Sequence, residues 1–568
     1  MKFQFDKFLI DMNKLNQIIN LRQLKKEYVQ IETNIVKKVE VVRTLPFEYI
    51  ESMLSPFTQI WDTQAHFSYS DYDTALSQIA SEENSDIRIV WMDWRLYVDK
   101  MSPRETVDWV INRIKAGGQN KPVLINNWPA FLEQEEQLLS PSIGRRNWFR
   151  QLNDLLQRAS EEITMLEIID LDFLASKKGI AIYDLRNDQI SNYPFSNNFT
   201  VDIARHMGLQ LFPAIFRPRL KVIIMDLDNT MYSGVLGEDG YDGIRLKEEH
   251  IALQKTLLSL KQSGIILAIS SKNEHADVVE LFNKRKDFLL TEQDFTFIKA
   301  NWQDKASNIS SIIQRINIDA SAVLFVDDNM AEITQVKTQL PNLHVILADV
   351  EGKETFHRLL NYPGLYTLKH DAAANLRQDD ILANQKRDEL LASATNETAY
   401  LETLKMKIEI HENNPDHVQR VYELSNKTNQ FNLALKRYSL NEVEHFINDK
   451  QIRIYTIGLS DILSNSGIIG IFVCKLQDKH VIITETLFSC RALGRLVESS
   501  ALLHILNRLK QFGVESISFD FSEGPKNKPG LDWLLSLEVG EKQEIAKVQS
   551  LLENRLALYT AEVLAHYE

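Results

Sequence analysis

Short apolar runs alternate along this chain with longer stretches in which apolar residues recur every third or fourth position. Continuous apolar runs mark buried strands, and the longer spacing marks amphipathic helices. Val39–Val42, Ile87–Met92, Val123–Ile125 and Ile168–Leu171 read as strands, with helical patterns such as Arg146–Glu162 between them. That alternation predicts a parallel sheet covered by helices, in a unit spanning 36–215. Residues 1–35 read as a peripheral, charged amphipathic helix. A second set of strands, Val222–Met225, Ile265–Ile269 and Ala322–Val326, is apolar throughout, as expected of strands buried on both faces. It belongs to a unit spanning 219–370. Residues 371–400 are polar, helix-prone and free of Gly and Pro, and predict a helical connector. From 401 to 568 strands and helices mix. A helix and loop cover Asp416–Leu440, strands cover Ile452–Ile457, Ile468–Cys474, Val481–Phe488 and Ser516–Phe521, and a helix covers Leu496–Phe512. The pattern as a whole predicts a multidomain α/β protein with an α+β unit at its C-terminal end.

The polar residues that close the second set of strands carry the chemistry. Asp226 and Asp228 follow Val222–Met225 in a D-L-D-N-T run that ends at Thr230. Ser270, Ser271, Lys272 and Asn273 follow the next strand, Lys305 opens a helical stretch, and Asp327 and Asp328 close the third strand. Open α/β sheets place their sites at the carboxyl ends of the strands. Two carboxylates on one turn repel each other unless a cation or a shared proton compensates. These four motifs, in this order, resemble those of haloacid dehalogenase (HAD) superfamily phosphotransferases. The resemblance implies that Asp226 is a nucleophile forming an aspartyl-phosphate, and that Asp228 is general acid and then base. One Asp226 oxygen, the Asp228 backbone carbonyl and Asp327 would hold Mg²⁺, and Asp328 would ligate through water or orient Lys305. Ser271 and Lys305 would bind the phosphoryl oxygens, with Thr230, Lys272 and Asn273 completing the set. The bland alternative for each Asp is a strand end or a helix cap.

Composition narrows the setting. The chain has 568 residues, 44% apolar and 25% charged, ordinary for a globular protein of about three domains. Its two cysteines, Cys474 and Cys490, make no disulfide framework and point to a reducing, cytoplasmic location. No apolar run approaches membrane-spanning length, so no membrane partner is expected. A net charge of −14 argues against general nucleic-acid binding.

In the third unit, ETLFSCRALGRLVESS reads as strand, glycine turn and helix, which exposes backbone N–H groups suited to an anion. Arg491, Gly494 and Arg495 resemble the phosphate-binding loop of GNAT acetyltransferases, although Leu496 stands where that loop has a small residue. Cys490, flanked by Arg491 and Arg495, is a thiol whose pKa those charges would lower; the alternative is a small buried hydrophobe.

From about 218 onward the chain resembles the FkbH-like family, a HAD branch. The resemblance rests on DLDNTMYSGVLGEDG, SKN at 271–273, KANW at 299–302, VDDNMAE at 326–332, LSNKTNQFNLALKRYS at 424–439, SCRALGR at 489–495 and KNKP at 526–529. It implies an SGNH-hydrolase-like α/β N-terminal domain, a Rossmann-like HAD domain and a GNAT-like α+β domain. It also implies transfer of a glyceryl unit from D-1,3-bisphosphoglycerate to the phosphopantetheine thiol of an acyl carrier protein, for polyketide-type biosynthesis. Departures from the family are Ser270 where Cys is usual, and Tyr232 and Ser233 for Trp-Gly, flanking the expected substrate cap. The N-terminal unit has no serine after its first strand, and Asp202 and His206 have no nucleophile to serve, so it reads as a scaffold or a carrier-protein dock. Two alternatives stay open: a Mg²⁺-dependent phosphatase of a small phosphorylated metabolite without carrier loading, and an acyltransferase or binding module with a silent HAD domain.

Overall fold

The computed structural model describes residues 33–567 apart from 73–76, 78, 80–84, 118–120, 131–143, 317, 369–382, 385, 388, 389, 392, 393, 395, 429, 490–492, 541 and 560. The expected N-terminal helix and most of the expected connector lie outside the described residues. The chain forms two compact units, divided between His370 and Asp371.

The first unit contains two parallel sheets. In one, β1 (Ile35–Arg43), β2 (Thr63–Tyr69), β3 (Ile87–Trp91), β4 (Val123–Asn126) and β5 (Leu166–Ile169) lie in the order β2-β1-β3-β4-β5. The strand order reverses between β1 and β3, so this is a doubly wound α/β sheet. Strand β2 was not foreseen. It is an edge strand, TQAHFSY, and its alternating half-buried and exposed residues give no apolar run. Trp91, Trp94, Trp128, Phe195 and Phe199 are fully buried and anchor this core.

The second sheet is all parallel, in the order β10-β9-β6-β7-β8. It comprises β6 (Val222–Met225), β7 (Ile266–Ser271), β8 (Phe297–Ala300), β9 (Val323–Asp327) and β10 (His344–Leu347). Every residue of β6, β7 and β9 is buried, which is why these strands read as continuous apolar runs. Strand β6 is central, with β7 and β9 on either side, so the residues following all three converge at one edge of the sheet.

The second unit holds a mixed sheet in the order β17-β16-β15-β14-β13-β11-β18. Its strands are β11 (Lys407–Glu412), β12 (Phe431–Asn432), β13 (Ile452–Ser460), β14 (Asn465–Gln477), β15 (His480–Phe488), β16 (Ser516–Phe519), β17 (Gln543–Glu544) and β18 (Glu562–His566). Strands β15 and β16 run parallel and are joined by a crossover that contains the helix Val497–Gln511. They pair only over His480–Ile483 with Ser516–Phe519; further along, β12 pairs with Leu487 and Phe488 instead.

One close approach in the first unit has a measurable consequence. Trp61 Nε1 donates to the Gly208 carbonyl at 2.8 Å, and a Cβ at Gly208 would sit 2.5 Å from Phe57 Cβ. Gly208→Ala is expected to destabilise this unit by about 1–3 kcal/mol, the usual cost of overpacking, read as a lower urea midpoint.

Candidate active site

Residues after β6, β8 and β9 meet around one buried ammonium. The Asp226 backbone N–H donates to Val326 O at 2.9 Å and continues the β6–β9 ladder to its last residue. The chain then turns through Leu227–Met231 and closes on itself, with Asn229 Oδ1 accepting from the Gly234 N–H at 3.0 Å. Asn229 has φ 52°, a left-handed conformation that asparagine tolerates better than most residues. Lys305, the first residue of the helix Lys305–Ile316, reaches back to the sheet edge. Its Nζ lies 3.0 Å from Asp226 Oδ1 and 2.5 Å from Asp327 Oδ2, and all three side chains are buried. Asp327 Oδ1 also accepts the Asn329 N–H at 2.8 Å.

Asp226, Asp327 and Asp328 each bring a carboxylate oxygen within 4.8 Å of the others. Three carboxylates face one ammonium, and the imbalance shows in their acidities. Burial, opposed by Lys305, pushes the Asp226 carboxyl above its usual range. Burial and then the Asp226 charge raise Asp327 to about 7, and the same two causes raise Asp328. Burial disfavours the Lys305 ammonium, but the charges of Asp226 and Asp327 outweigh it and hold the pKa up. A hard divalent cation with oxygen ligands relieves such a site. The Thr230 hydroxyl, fully buried in the same motif, has no hydrogen-bond partner among the described residues. The oxygen-only donor set and this open hydroxyl fit Mg²⁺ and a phosphoryl group.

The Asp228 carboxylate belongs to a different network. Its Oδ1 accepts from Tyr232 Oη at 2.7 Å and from the Leu236 N–H at 2.9 Å, and its Oδ2 accepts from Asn273 Nδ2 at 2.9 Å. Asn273 Nδ2 also donates to Ser271 Oγ at 3.1 Å, which ties the loop after β7 to the one after β6. Tyr232 is fully buried, edge-on to Phe288 with ring centroids 5.9 Å apart. Ser233 Oγ donates to the Val350 carbonyl. Lys272 forms a short ion pair with Glu332, a residue not foreseen at the site. Trp302, exposed beside the site loops, donates from Nε1 to Glu274 Oε1 at 2.6 Å.

In the second unit, Cys490 and Arg491 lie outside the described residues. Gly494 has φ +76°, and Leu496, also left-handed, caps the helix Val497–Gln511. Arg495 is buried and ion-paired with Asp461 at 3.1 Å, and Arg387 meets the same carboxylate at 2.7 Å. Cys474 is wholly buried, and burial pushes its thiol pKa far above the usual range, so it is an unreactive core residue.

No protein-family profile matches the chain, and no curated protein matches it. Solved structures do. The N-terminal part of protein BF1531 from Bacteroides fragilis, which contains a phosphatase domain complexed with Mg, is similar over 63% of this chain and 99% of its own, at 20% identity and TM-score 0.50. The 3-deoxy-D-manno-octulosonate 8-phosphate phosphatase of Moraxella catarrhalis is similar over 31% of this chain and 92% of its own, at 20% identity and TM-score 0.17. The ribosomal-protein-S18-alanine N-acetyltransferase of Escherichia coli is similar over 23% of this chain and 76% of its own, at 10% identity and TM-score 0.19. The first likeness shows a shared fold over the matched part of this chain.

The raised acidities make cation binding pH-dependent. Folding lifts Asp327 from 3.8 to about 7, so the folded chain holds more protons than the unfolded chain between those values. Without metal, this group's contribution to stability therefore falls as pH rises through that window. Mg²⁺ requires the ionised carboxylates. The rise in melting temperature caused by millimolar Mg²⁺ is expected to be small at pH 5 and to grow through about pH 7. Calorimetric scans across that range check it; a pH-independent shift would contradict the assignment.

Proposed function

We propose that this chain is a Mg²⁺-dependent HAD-type phosphoryl-transfer enzyme, with Asp226 as the nucleophile. One observation carries this reading: Asp226, Lys305, Asp327 and Asp328 converge at the edge of the sheet. Bound Mg²⁺ would supply charge neutralisation, so that an anionic nucleophile can approach an anionic phosphoryl group. Asp226, Asp327 and Asp328 would hold it, the Asp228 backbone carbonyl joining them. Lys305 binds a phosphoryl oxygen as a point charge, and Ser271 and Thr230 donate hydroxyls. An Asp226 oxygen bonds to phosphorus, the bond from phosphorus to the leaving oxygen breaks, and Asp228 protonates that oxygen where it is basic. Water then attacks phosphorus, gives its proton to Asp228, and returns the bonding pair to Asp226.

The more particular reading is glyceryl transfer from D-1,3-bisphosphoglycerate to the phosphopantetheine thiol of an acyl carrier protein. It is supported by the FkbH-like motifs spread over both units. The second unit adds strand β15, a left-handed turn at Gly494 and the helix Val497–Gln511, in the order the sequence resemblance implies for an anion-binding turn. The acyl phosphate is already activated, so thiol attack needs mainly positioning and a place for negative charge. The commitment of Arg495 to Asp461 favours the second reading, a phosphatase of a small phosphorylated metabolite that loads no carrier.

Incubation of a phosphopantetheinylated acyl carrier protein with the enzyme, Mg²⁺ and fresh 1,3-bisphosphoglycerate separates the two. Intact-protein mass spectrometry is expected to show a glyceryl increment that disappears with Asp226→Asn. Phosphate release without the increment points to the plain phosphatase. Asp226→Asn is expected to lower phosphate release at least a thousandfold, about 4 kcal/mol in barrier, while the melting temperature stays within a few degrees. Retained turnover would remove Asp226 as nucleophile.

A further inference from the structure

Tyr232 lies four residues beyond Asp228, and the phosphoryl chemistry described above leaves it unused. Its ring is locked in the core against Phe288, and its hydroxyl reaches one atom of the site, Asp228 Oδ1, at 2.7 Å. A phenol facing a carboxylate oxygen is the donor of the pair. A carboxylate has about four acceptor positions, two on each oxygen. On Oδ1 both are filled, by Tyr232 Oη and the Leu236 N–H. On Oδ2 Asn273 fills one. The two ends of this carboxylate are therefore chemically unequal, and the inequality comes from the fold.

We infer that Tyr232 is a positioning residue that saturates Asp228 Oδ1 and thereby directs proton transfer through Asp228 Oδ2. This rests on the phosphatase reading of the same site. In the first step Oδ2–H gives its proton to the leaving oxygen as the phosphorus–oxygen bond breaks, and Asp228 becomes a carboxylate. In the second step Oδ2 takes a proton from the attacking water as the Asp226–phosphorus bond breaks, which restores the starting state. No other reactant is needed. Loss of the Tyr232 hydroxyl opens an acceptor position on Oδ1 and frees the carboxylate to rotate, so the proton is delivered less often to the leaving oxygen. The penalty grows with the basicity of that oxygen, because a weakly basic leaving group departs without a proton.

The test is Tyr232→Phe, which keeps the ring and its packing. Turnover is measured at saturating Mg²⁺ with ethyl phosphate and a graded series of substituted phenyl phosphates. The expected result is a steeper dependence of kcat on leaving-group pKa. The loss is roughly tenfold or more for the most basic leaving groups and within about threefold for p-nitrophenyl phosphate, with KM nearly unchanged. An unchanged Mg²⁺-induced melting shift reports that the metal site and fold are intact. A uniform loss across the series, or none, overturns the role of Tyr232 and leaves the phosphatase reading standing. Wild-type enzyme that releases phosphate from none of these probes overturns both.

Discussion

The second parallel sheet of the first unit depends on one buried ammonium between two buried carboxylates. Lys305 Nζ is within ion-pair distance of both Asp226 and Asp327, and none of the three is solvated. At an effective dielectric of about 20, unit charges 4 Å apart interact by about 4 kcal/mol, so leaving any of them unpartnered is costly. Asp328 and Asp228 add further negative charge nearby. The backbone must therefore bring one cation from a helix and acidic groups from two neighbouring strands to a single point. A parallel sheet with its first strand in the centre does this: β6 and β9 pair in register, and their final residues emerge side by side. The excess of carboxylates over cations calls for a divalent ion, and the resulting strain in acidity is stored at the site.

The doubly wound sheet of the N-terminal region treats its strand ends differently. Asp93, just beyond β3, gives both oxygens to Arg95, which also pairs with Asp188. Thr44, just beyond β1, accepts the Asp93 N–H at 2.8 Å. At the opposite end, Glu40 takes Arg88 and Lys121 together. The charges at the switch point of this sheet are thus matched within the protein, and the Ser70 hydroxyl, just beyond β2, accepts the Arg43 N–H at 3.0 Å. The carboxylates around Lys305 differ: three of them face one ammonium.

In the second unit, polar groups again serve the fold. Glu485 accepts from the backbone N–H groups of Ala434 and Lys436, which holds the segment after β12 against β15. Asp461 gathers Arg387 and Arg495 from opposite sides in sequence. Both clusters fix loops that the family resemblance singled out, and they give those motifs a structural reason to exist.

Much of the site was legible in the sequence. Strands buried on both faces of a parallel sheet must be apolar throughout, so β6, β7 and β9 show as uninterrupted runs, and the residues that end them can only be solvent turns or a site. Asp226, Ser271 and Asp327 follow from that rule, and Lys305 from the start of a helix, because each chemical group is adjacent in sequence to the element that positions it. The edge strand β2 escaped, because half its residues face outward and blur the pattern. The partners joined across long separations also escaped: Lys272 to Glu332, Arg495 to Asp461, and Asn273 to Asp228. Tyr232 shows the limit best. It lies only four positions from Asp228, yet the turn at Asn229 decides whether its hydroxyl meets that carboxylate. Apolar periodicity and motif order determined the sheet and which polar groups end its strands, since strand burial is a local property of the chain. Which donors surround each carboxylate, and so where protons and cations reside, was decided only by tertiary packing, since hydrogen bonds depend on distance in space.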